Sequence, residues 1–135
     1  MDASVAAKWL LPEIHSEAAH RLLGGGRKLL APDLLGAEVG NVLWKRWRRG
    51  ELTAETVAAM LRDFRRLPLT LFPSDLLFEA AWEIAHALRR SFYDSLYLAL
   101  AMSYRCPLVT ADLKLWNALR GGPKGPLLLW VEDLP

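Results

Sequence analysis

Apolar residues form two patterns along this chain. Over long stretches they recur with helical spacing, and between these stretches they form short continuous runs. Helical spacing predicts helices over residues 4–11, 16–23, 33–49, 53–66, 74–88, 93–104 and 112–119. The short apolar runs predict strands over residues 28–31, 69–72, 108–110 and 127–131. Because the two kinds of element alternate without a linker or a repeat, the pattern is typical of an α/β protein.

Local signals mark the ends of several predicted helices. Asp33, Thr53 and Ser74 each precede an apolar helical pattern, and these residue types are good N-caps. Glycine follows the helices at 16–23 and 33–49 and is expected to stop them. The stretch from 93 to 104 is apolar nearly all round, so we expect that helix to lie in the interior.

Length and composition indicate one globular domain covering residues 1–135. With 53% hydrophobic and 24% charged residues, the chain has enough apolar material for a core without staples. The lone Cys106 excludes an internal disulfide and a cysteine-based zinc site, and is typical of a protein in a reducing compartment. No basic leader precedes an apolar run, and no apolar stretch reaches membrane-spanning length. We therefore expect a cytoplasmic protein without membrane association.

Four acidic residues stand at or beside apolar stretches, where an unpaired carboxylate is costly. They are Asp2, Glu38, Asp94 and Asp112. Such a group must find a donor, become neutral or bind a cation, and four converging carboxylates favour the cation. Oxygen ligands suit the hard ions Mg²⁺ and Mn²⁺. The leading hypothesis is a metal-dependent phosphodiesterase that acts on RNA.

Glu38 gives the strongest local signal because it interrupts an apolar helix face. Leu35, Val39 and Val42 share that face by their spacing of three and four residues. Asn41, three residues further on, can hydrogen-bond the carboxylate or hold a water beside it. The alternative is a buried glutamate that is simply held by Asn41 or by an arginine.

Asp94 and Asp112 each open a predicted helix. Taken alone, each is explained by a structural N-cap that contributes about 1 kcal/mol. Asp112 also follows the strand predicted at 108–110. In open parallel sheets, ligands bind beyond the carboxyl ends of the strands, so acids there can converge. Their joint occurrence with Glu38 and Asp2 is what favours a site over separate caps.

Four short motifs occur in order along the whole chain, and together they resemble the PIN-domain ribonucleases, in particular the VapC-type toxins of prokaryotic toxin-antitoxin pairs. No single motif decides the resemblance, but their order and spacing are strong evidence. The motifs are Asp2-Ala3-Ser4-Val5 followed by Lys8-Trp9, Ala37-Glu38 with Asn41, the segment YDSLYLALA from Tyr93 to Ala101, and Thr110-Ala111-Asp112.

The resemblance implies a metal site and a fold. One or two Mg²⁺ or Mn²⁺ ions would be bound by Asp2, Glu38, Asp94 and Asp112, with supporting hydroxyls from Ser4 and Thr110. The implied fold is a three-layer α/β/α sandwich around a mainly parallel central sheet, usually dimeric. The implied partner is a VapB-type antitoxin whose C-terminal segment lies along the groove formed by the helices near residues 33–66 and blocks the metal site.

The start of the chain departs from the family pattern. Family members usually have several apolar residues before the first aspartate, and these form the central strand. Here only Met1 precedes Asp2. Either the strand lies upstream of this sequence, or the opening strand is minimal and Asp2 is placed differently.

Two basic segments are candidates for RNA contact, although the net charge of only +2 does not itself indicate a nucleic-acid binder. Aromatic and arginine side chains together suit single-stranded RNA. Basic residues at a helix C-terminus are also favoured by the helix dipole, and an antitoxin or dimer interface competes for the first segment. The candidates are Lys45, Arg46, Arg48 and Arg49, which flank Trp47, and Arg89 and Arg90 near Asp94.

Other catalytic arrangements fit the sequence poorly. His15 and His20 are five residues apart, so they do not share a helix face as a zinc-protease pair does. The glycines at 24–26 lack the Lys-Ser/Thr of a phosphate loop. The alternative from another class is a noncatalytic module that binds protein or nucleic acid through the basic, tryptophan-bearing helix 33–49. The RNA target, the number of metals and the choice of RNA over DNA stay open.

Overall fold

The computed structural model describes residues 1–135, and its helices and strands alternate as the sequence predicts. The strands are β1 (Leu29–Pro32), β2 (Leu69–Phe72), β3 (Leu108–Thr110) and β4 (Leu128–Trp130). The α-helices are α1 (Ala3–Ala6), α2 (Ser16–Gly24), α3 (Leu35–Arg48), α4 (Ala54–Phe64), α5 (Phe78–Leu88), α6 (Phe92–Ser103) and α7 (Leu113–Leu119). Short 3-10 helices cover Ala7–Trp9, Ser74–Leu77, Gly125–Leu127 and Val131–Asp133. The α/β class is confirmed.

All strand pairing is parallel, and it occurs in two pairs. β1 pairs with β2, so that Leu29 lies opposite Leu69. β3 pairs with β4, so that Leu108 lies opposite Leu128. Parallel neighbours need a crossover connection, and the helices between the strands supply it. The mainly parallel sheet is therefore confirmed, although it is divided into two halves.

The first two residues lie between these halves. The Met1 amino group donates to the Leu30 carbonyl of β1 at 3.4 Å, and the Asp2 amide donates to the Val109 carbonyl of β3 at 3.2 Å. Two residues are too few to form a regular ladder, which is why the pairs remain separate. The backbone contact nevertheless places Asp2 beside the end of β3.

Helix α6 forms the centre of the core, as its apolar sequence predicts. Every residue from Ser95 to Ala101 is buried, and the helix packs against α5, β1 and β3. The serine in that run is satisfied locally, because the Ser95 hydroxyl donates to the Ser91 carbonyl at 2.8 Å. A helix with neighbours on several sides can bury residues on all of its faces.

The three predicted N-caps have different outcomes. Thr53 is confirmed, since its hydroxyl accepts from the Thr56 amide at 3.1 Å. Asp33 and Ser74 are wrong as caps, because they bind each other: the Asp33 carboxylate accepts from the Ser74 amide at 3.2 Å and from its hydroxyl. Parallel pairing brings the ends of β1 and β2 side by side, so a cross-strand contact replaces both local caps. None of the helices combines the length and the apolar character that crossing a bilayer requires.

Candidate metal centre

Four acidic side chains from separate parts of the chain line one cleft of about 240 Å³. Each lies at the beginning of a helix, where the positive end of the helix dipole favours negative charge. The acids come from the N-cap of α1, the first turn of α3, the first turn of α6 and the N-cap of α7, and they are Asp2, Glu38, Asp94 and Asp112. The remaining lining residues are Ala3, Ser4, Asn41, Val42, Tyr97 and Leu115.

Asp2 is the most enclosed of the four, with 7% of its surface exposed. One carboxylate oxygen accepts from the Ser4 hydroxyl at 2.5 Å and from the Ser4 amide at 3.0 Å, and the other accepts from the Thr110 hydroxyl at 2.5 Å. Burial raises the pKa of Asp2, and the hydroxyl hydrogen bonds oppose that rise. The carboxylate is therefore held in one orientation by donors on both oxygens.

The hydroxyls of Ser4 and Thr110 also connect Asp2 with the segment after β3. The Ser4 hydroxyl accepts from the Ala111 amide at 2.9 Å, and the Thr110 hydroxyl accepts from the Asp112 amide at 3.0 Å. Asp112 in turn caps α7, accepting from the amides of Lys114 and Leu115 at 2.8 and 3.2 Å. The cap proposed for Asp112 is thus present, and the same residue lines the cleft.

Glu38 is half-buried and is bound by a residue that sequence reasoning missed. The Tyr97 hydroxyl donates to Glu38 Oε2 at 2.7 Å. Asn41 lines the cleft but is not the partner that holds Glu38. The missed signal was the spacing of Asp94 and Tyr97 on one helix face, together with the need of a buried tyrosine hydroxyl for a partner.

The hydrogen bond between Tyr97 and Glu38 shifts the two pKa values in opposite directions. Burial raises the pKa of Glu38, the Tyr97 hydrogen bond lowers it, and the charges of Asp2 and Asp94 raise it further. The pKa of Tyr97 is raised far above its ordinary value, first by burial and then by Glu38. The raised pKa keeps Tyr97 in its hydroxyl form, so it can donate to Glu38.

Asp94 is not the cap of α6, contrary to the simpler sequence interpretation. Ser91 takes that position, and its hydroxyl accepts from the Asp94 amide at 3.0 Å. The Asp94 carboxylate is consequently not needed as the cap, and Arg90 Nε lies 3.6 Å from its Oδ2 atom. Burial raises the pKa of Asp94, Arg90 lowers it, and Asp112 and Asp2 raise it again.

The donor set fits a hard divalent cation in its chemistry. All four donors are carboxylates, and the charges of the acids raise the pKa values of Glu38 and Asp94, which indicates repulsion inside the cleft. No three of the acidic, histidine or cysteine side chains are grouped closely enough to chelate an ion in this conformation. The reason is that the acids are turned toward hydroxyls, backbone amides and Arg90. Chelation requires the carboxylates to move closer together around the ion, and each carboxylate has lone pairs beyond those that these partners use.

The basic candidates for RNA contact lie in two places. Arg89 and Arg90 connect α5 with α6 beside the cleft. Lys45, Arg48 and Arg49 are exposed at the end of α3, where the guanidinium of Arg48 lies 5.0 Å from the Trp44 ring centre. Arg46 differs from them because it is already paired with Glu13 and Glu51. RNA contact by any of these residues stays a prediction.

A second surface feature lies between α3 and α4. This apolar groove has a volume of about 300 Å³ and is lined by Gly40, Trp44, Trp47, Ala54, Val57 and Leu61. Both tryptophans are nearly half exposed. The groove ends where α3 and α4 come into contact. There, a Cβ added at Gly36 would lie 3.6 Å from the Phe64 ring.

Comparison with known proteins gives one family and several relatives. The family model described as PIN domain matches residues 1–119, a range that contains all four cleft acids. Ribonuclease VapC9 of Mycobacterium tuberculosis is 38% identical over 115 residues, which are 85% of this chain and 86% of the relative. Ribonuclease VapC3 of Pyrobaculum aerophilum is 34% identical over 119 residues, which are 85% of this chain and 89% of the relative.

Proposed function

The chain belongs to the PIN-domain family, and from that premise we propose that it is a ribonuclease and the toxin of a VapBC-type toxin-antitoxin pair. Relatives named as VapC ribonucleases match most of its length. The observation that carries the proposal is the acidic cleft, because four carboxylates from four segments line it. Like charges that are gathered in one cleft repel each other unless a cation is bound, which favours a site over four separate structural roles.

The proposed cofactor is Mg²⁺ or Mn²⁺, as one or two ions held by Asp2, Glu38, Asp94 and Asp112. When bound, such an ion makes water a better nucleophile and offsets the negative charge that develops on the phosphate. The hydroxyls of Ser4 and Thr110 support this role by fixing both oxygens of Asp2. Tyr97 positions Glu38 in the same way.

Hydrolysis by an activated water does not use the 2′-hydroxyl, so a preference for RNA has to arise from binding. Single-stranded RNA presents phosphates and unstacked bases, which suit arginine and aromatic side chains. Arg89 and Arg90 are the proposed contacts nearest the cleft. Lys45, Arg48 and Arg49 are the proposed contacts further along α3, whereas Arg46 is the least suited because of its two ion pairs.

The antitoxin is proposed to bind the groove between α3 and α4. The groove is apolar, and cationic side chains flank Trp44 at its rim. An amphipathic segment with apolar anchors and acidic neighbours complements such a surface. Glu38 and the groove residue Gly40 are both on α3 but point to different faces of it, so a segment that lies along the groove is proposed to cross α3 in order to cover the acids.

A homodimer is proposed to form through a different surface. An exposed aromatic face consists of Phe78 and Trp82 on α5 and Phe92 at the start of α6, and the rings of Phe78 and Phe92 are 5.5 Å apart. Contiguous exposed aromatic side chains are typical of interaction sites. This face leaves the α3–α4 groove available to the antitoxin. Because the proposed substrate is cellular RNA, the proposed location is the cytoplasm.

Cleavage of RNA by the purified protein tests the enzyme proposal. A pool of single-stranded RNA and a matched DNA pool are incubated with protein that has been stripped of metal and then supplied with Mg²⁺ or Mn²⁺. We expect metal-dependent cleavage of RNA, and Asp94→Asn is expected to lower its rate by about a hundredfold or more because one metal ligand is lost. Asp75→Asn is the matched control, since Asp75 is exposed in the 3-10 helix before α5.

Each outcome separates the proposed functions. A folded Asp94→Asn variant that cleaves as fast as the parent contradicts a metal-dependent ribonuclease at this cleft. Cleavage of the DNA pool at an equal rate contradicts the preference for RNA. Binding of RNA without cleavage at any metal concentration favours the noncatalytic module that uses helix 33–49.

A further inference from the structure

Arg90 lies in the short turn between α5 and α6, and the backbone of that turn is strongly constrained. Arg89 has φ of 51°, in the left-handed region, and ends α5. The next amide, that of Arg90, donates back to the Ala85 carbonyl at 3.2 Å. Ser91 then caps α6. The turn therefore holds the Arg90 backbone beside the first turn of α6, which contains the cleft residue Asp94.

The guanidinium of Arg90 has an unusual environment for an ion-paired arginine. Its Nε atom is buried and has no hydrogen-bond partner, while the nearest carboxylate oxygen, Asp94 Oδ2, is 3.6 Å away. Both side chains are 28% exposed. A buried unpaired donor carries a free-energy cost, so a purely structural pair is expected to close to hydrogen-bond distance. At 3.6 Å the contact is an electrostatic interaction without a hydrogen bond.

Arg90 is also a cation directly beside a cleft lined by four carboxylates. A guanidinium and a divalent ion repel each other, so both cannot approach Asp94 closely at the same time. The planar fork of donors on arginine suits phosphate as well as carboxylate. An arginine that loses its carboxylate to a metal ion is thus left with its donors available beside the position of a phosphodiester.

We propose that Arg90 is an exchangeable counter-ion: it neutralises Asp94 when no metal is bound, gives that carboxylate up to the metal, and then contacts the RNA phosphate. This inference rests on the proposed function and deepens it, because it assigns Arg90 one role in metal binding and a second role in substrate binding. Arg90 is therefore a competitor of the metal before it is a partner of the substrate.

A Mn²⁺ titration of the metal-stripped protein tests the first half of the inference. The dissociation constant is measured by calorimetry for the parent, Arg90→Gln, Arg90→Lys and Arg89→Gln. We expect Arg90→Gln to bind Mn²⁺ about tenfold more tightly, since the competing charge has been removed. Arg90→Lys keeps the charge and is expected to remain close to the parent. Arg89→Gln removes an equal charge from the exposed neighbouring residue and is expected to leave the affinity unchanged.

RNA cleavage at saturating Mn²⁺ tests the second half. Using a random-sequence single-stranded RNA pool, we expect Arg90→Gln to lower kcat/KM by about tenfold, because a charge-assisted phosphate contact is lost. Arg90→Lys is expected to recover part of the rate. Tighter metal binding combined with slower cleavage is the distinguishing signature, since damage to the fold weakens both.

The outcomes that contradict the inference differ from those that contradict the function. If the parent binds Mn²⁺ and Arg90→Gln binds it equally or more weakly, the counter-ion role is wrong while the metal site stands. If Arg90→Gln binds more tightly but cleaves at the parental rate, the phosphate contact is wrong. If the parent neither binds Mn²⁺ nor cleaves RNA, the proposed function and this inference fall together.

Discussion

The two ends of α3 carry charged side chains in opposite situations. Near its C-terminus, Arg46 is paired with Glu13 and Glu51, and Glu13 also accepts from Lys8 Nζ at 2.9 Å. This ion-pair network contains as many cations as acids. Near the N-terminus, Glu38 joins three further carboxylates in the acidic cleft, where Arg90 is the cation beside Asp94.

The pKa shifts favour the charged form in the ion-pair network and disfavour it in the acidic cleft. In the ion-pair network the pKa of Arg46 is raised, chiefly by its hydrogen bond with Glu51, so the charged form is favoured. In the acidic cleft the pKa values of Asp2, Glu38 and Asp94 are raised, so the charged forms are disfavoured. Compensated charges contribute to the fold as they stand. Uncompensated charges support the proposal that the cleft takes up a cation from outside the chain.

The largest expected effect is stabilisation of the acidic cleft by metal. Thermal unfolding of metal-stripped protein is followed as Mn²⁺ or Mg²⁺ is added. At a hundredfold excess over the dissociation constant, we expect a gain of about 2.7 kcal/mol in the free energy of unfolding, since the ion binds only the folded state. Glu38→Gln should lose most of this gain, whereas Glu51→Gln in the ion-pair network should keep it. An equal gain in both variants contradicts the assignment of the metal to the cleft.

Removing a charge from the ion-pair network should lower the free energy of unfolding without changing the response to metal. Glu13→Gln leaves Lys8, whose side chain is only 9% exposed, without its anion. We expect a loss of about 2 kcal/mol in the free energy of unfolding, measured with urea, and an unchanged response to Mn²⁺. Glu51→Gln breaks a more exposed pair and should lose less than about 1 kcal/mol. Equal losses in the two variants contradict the importance of the buried Lys8 contact.

A smaller effect is expected from the hydroxyl that holds Glu38. Tyr97→Phe removes the donor at 2.7 Å and should reduce stability by about 1 kcal/mol. Because that hydrogen bond favours the charged carboxylate, its loss should also raise the pKa of Glu38, which NMR titration can follow. Tyr93→Phe, on the exposed side of the same helix, serves as control. A variant with unchanged Glu38 titration would falsify the positioning role of Tyr97.

The subtlest expected difference is in the pH dependence of the metal-free protein. A carboxyl group whose pKa is raised on folding binds more protons in the folded state than in the unfolded state, so its contribution to stability falls as pH rises. For Glu38 this fall begins near its unfolded pKa, at about pH 4, and continues through the raised folded pKa. Unfolding by urea across this range should therefore show Glu38→Gln becoming more stable relative to the parent as pH increases. A constant difference contradicts the raised pKa.

Much of the fold follows from local pattern, and the structure bears that out. Short apolar runs predict the strands β1 to β4, and a stretch that is apolar nearly all round predicts the buried helix α6. These signals are local because side-chain spacing along one element decides which face is buried. The caps were less predictable. Thr53 caps its helix as expected, but Asp33 and Ser74 bind each other across two strands, and a residue 41 positions away is not visible to a local rule.

The candidate site divides in the same way. The sequence alone points to the four acids, because each stands at or beside an apolar stretch and this can be read from neighbouring residues. The tertiary structure decided which partner each acid has. Tyr97 binds Glu38 from 59 positions away, and Thr110 binds Asp2 from 108 positions away. Sequence spacing gives no measure of such distances.

The sequence by itself determined the order of helices and strands, the apolar core and the four acidic residues, because each depends on the chemistry of neighbouring residues. Only the tertiary structure decided that these four acids line one cleft, and that the hydroxyls of Tyr97 and Thr110 hold two of them. The physical reason is that electrostatic and hydrogen-bond energies depend on distances in space, which parallel pairing and helix packing set. The acidic cleft is therefore encoded in four local signals and assembled only when the strands and helices bring them together.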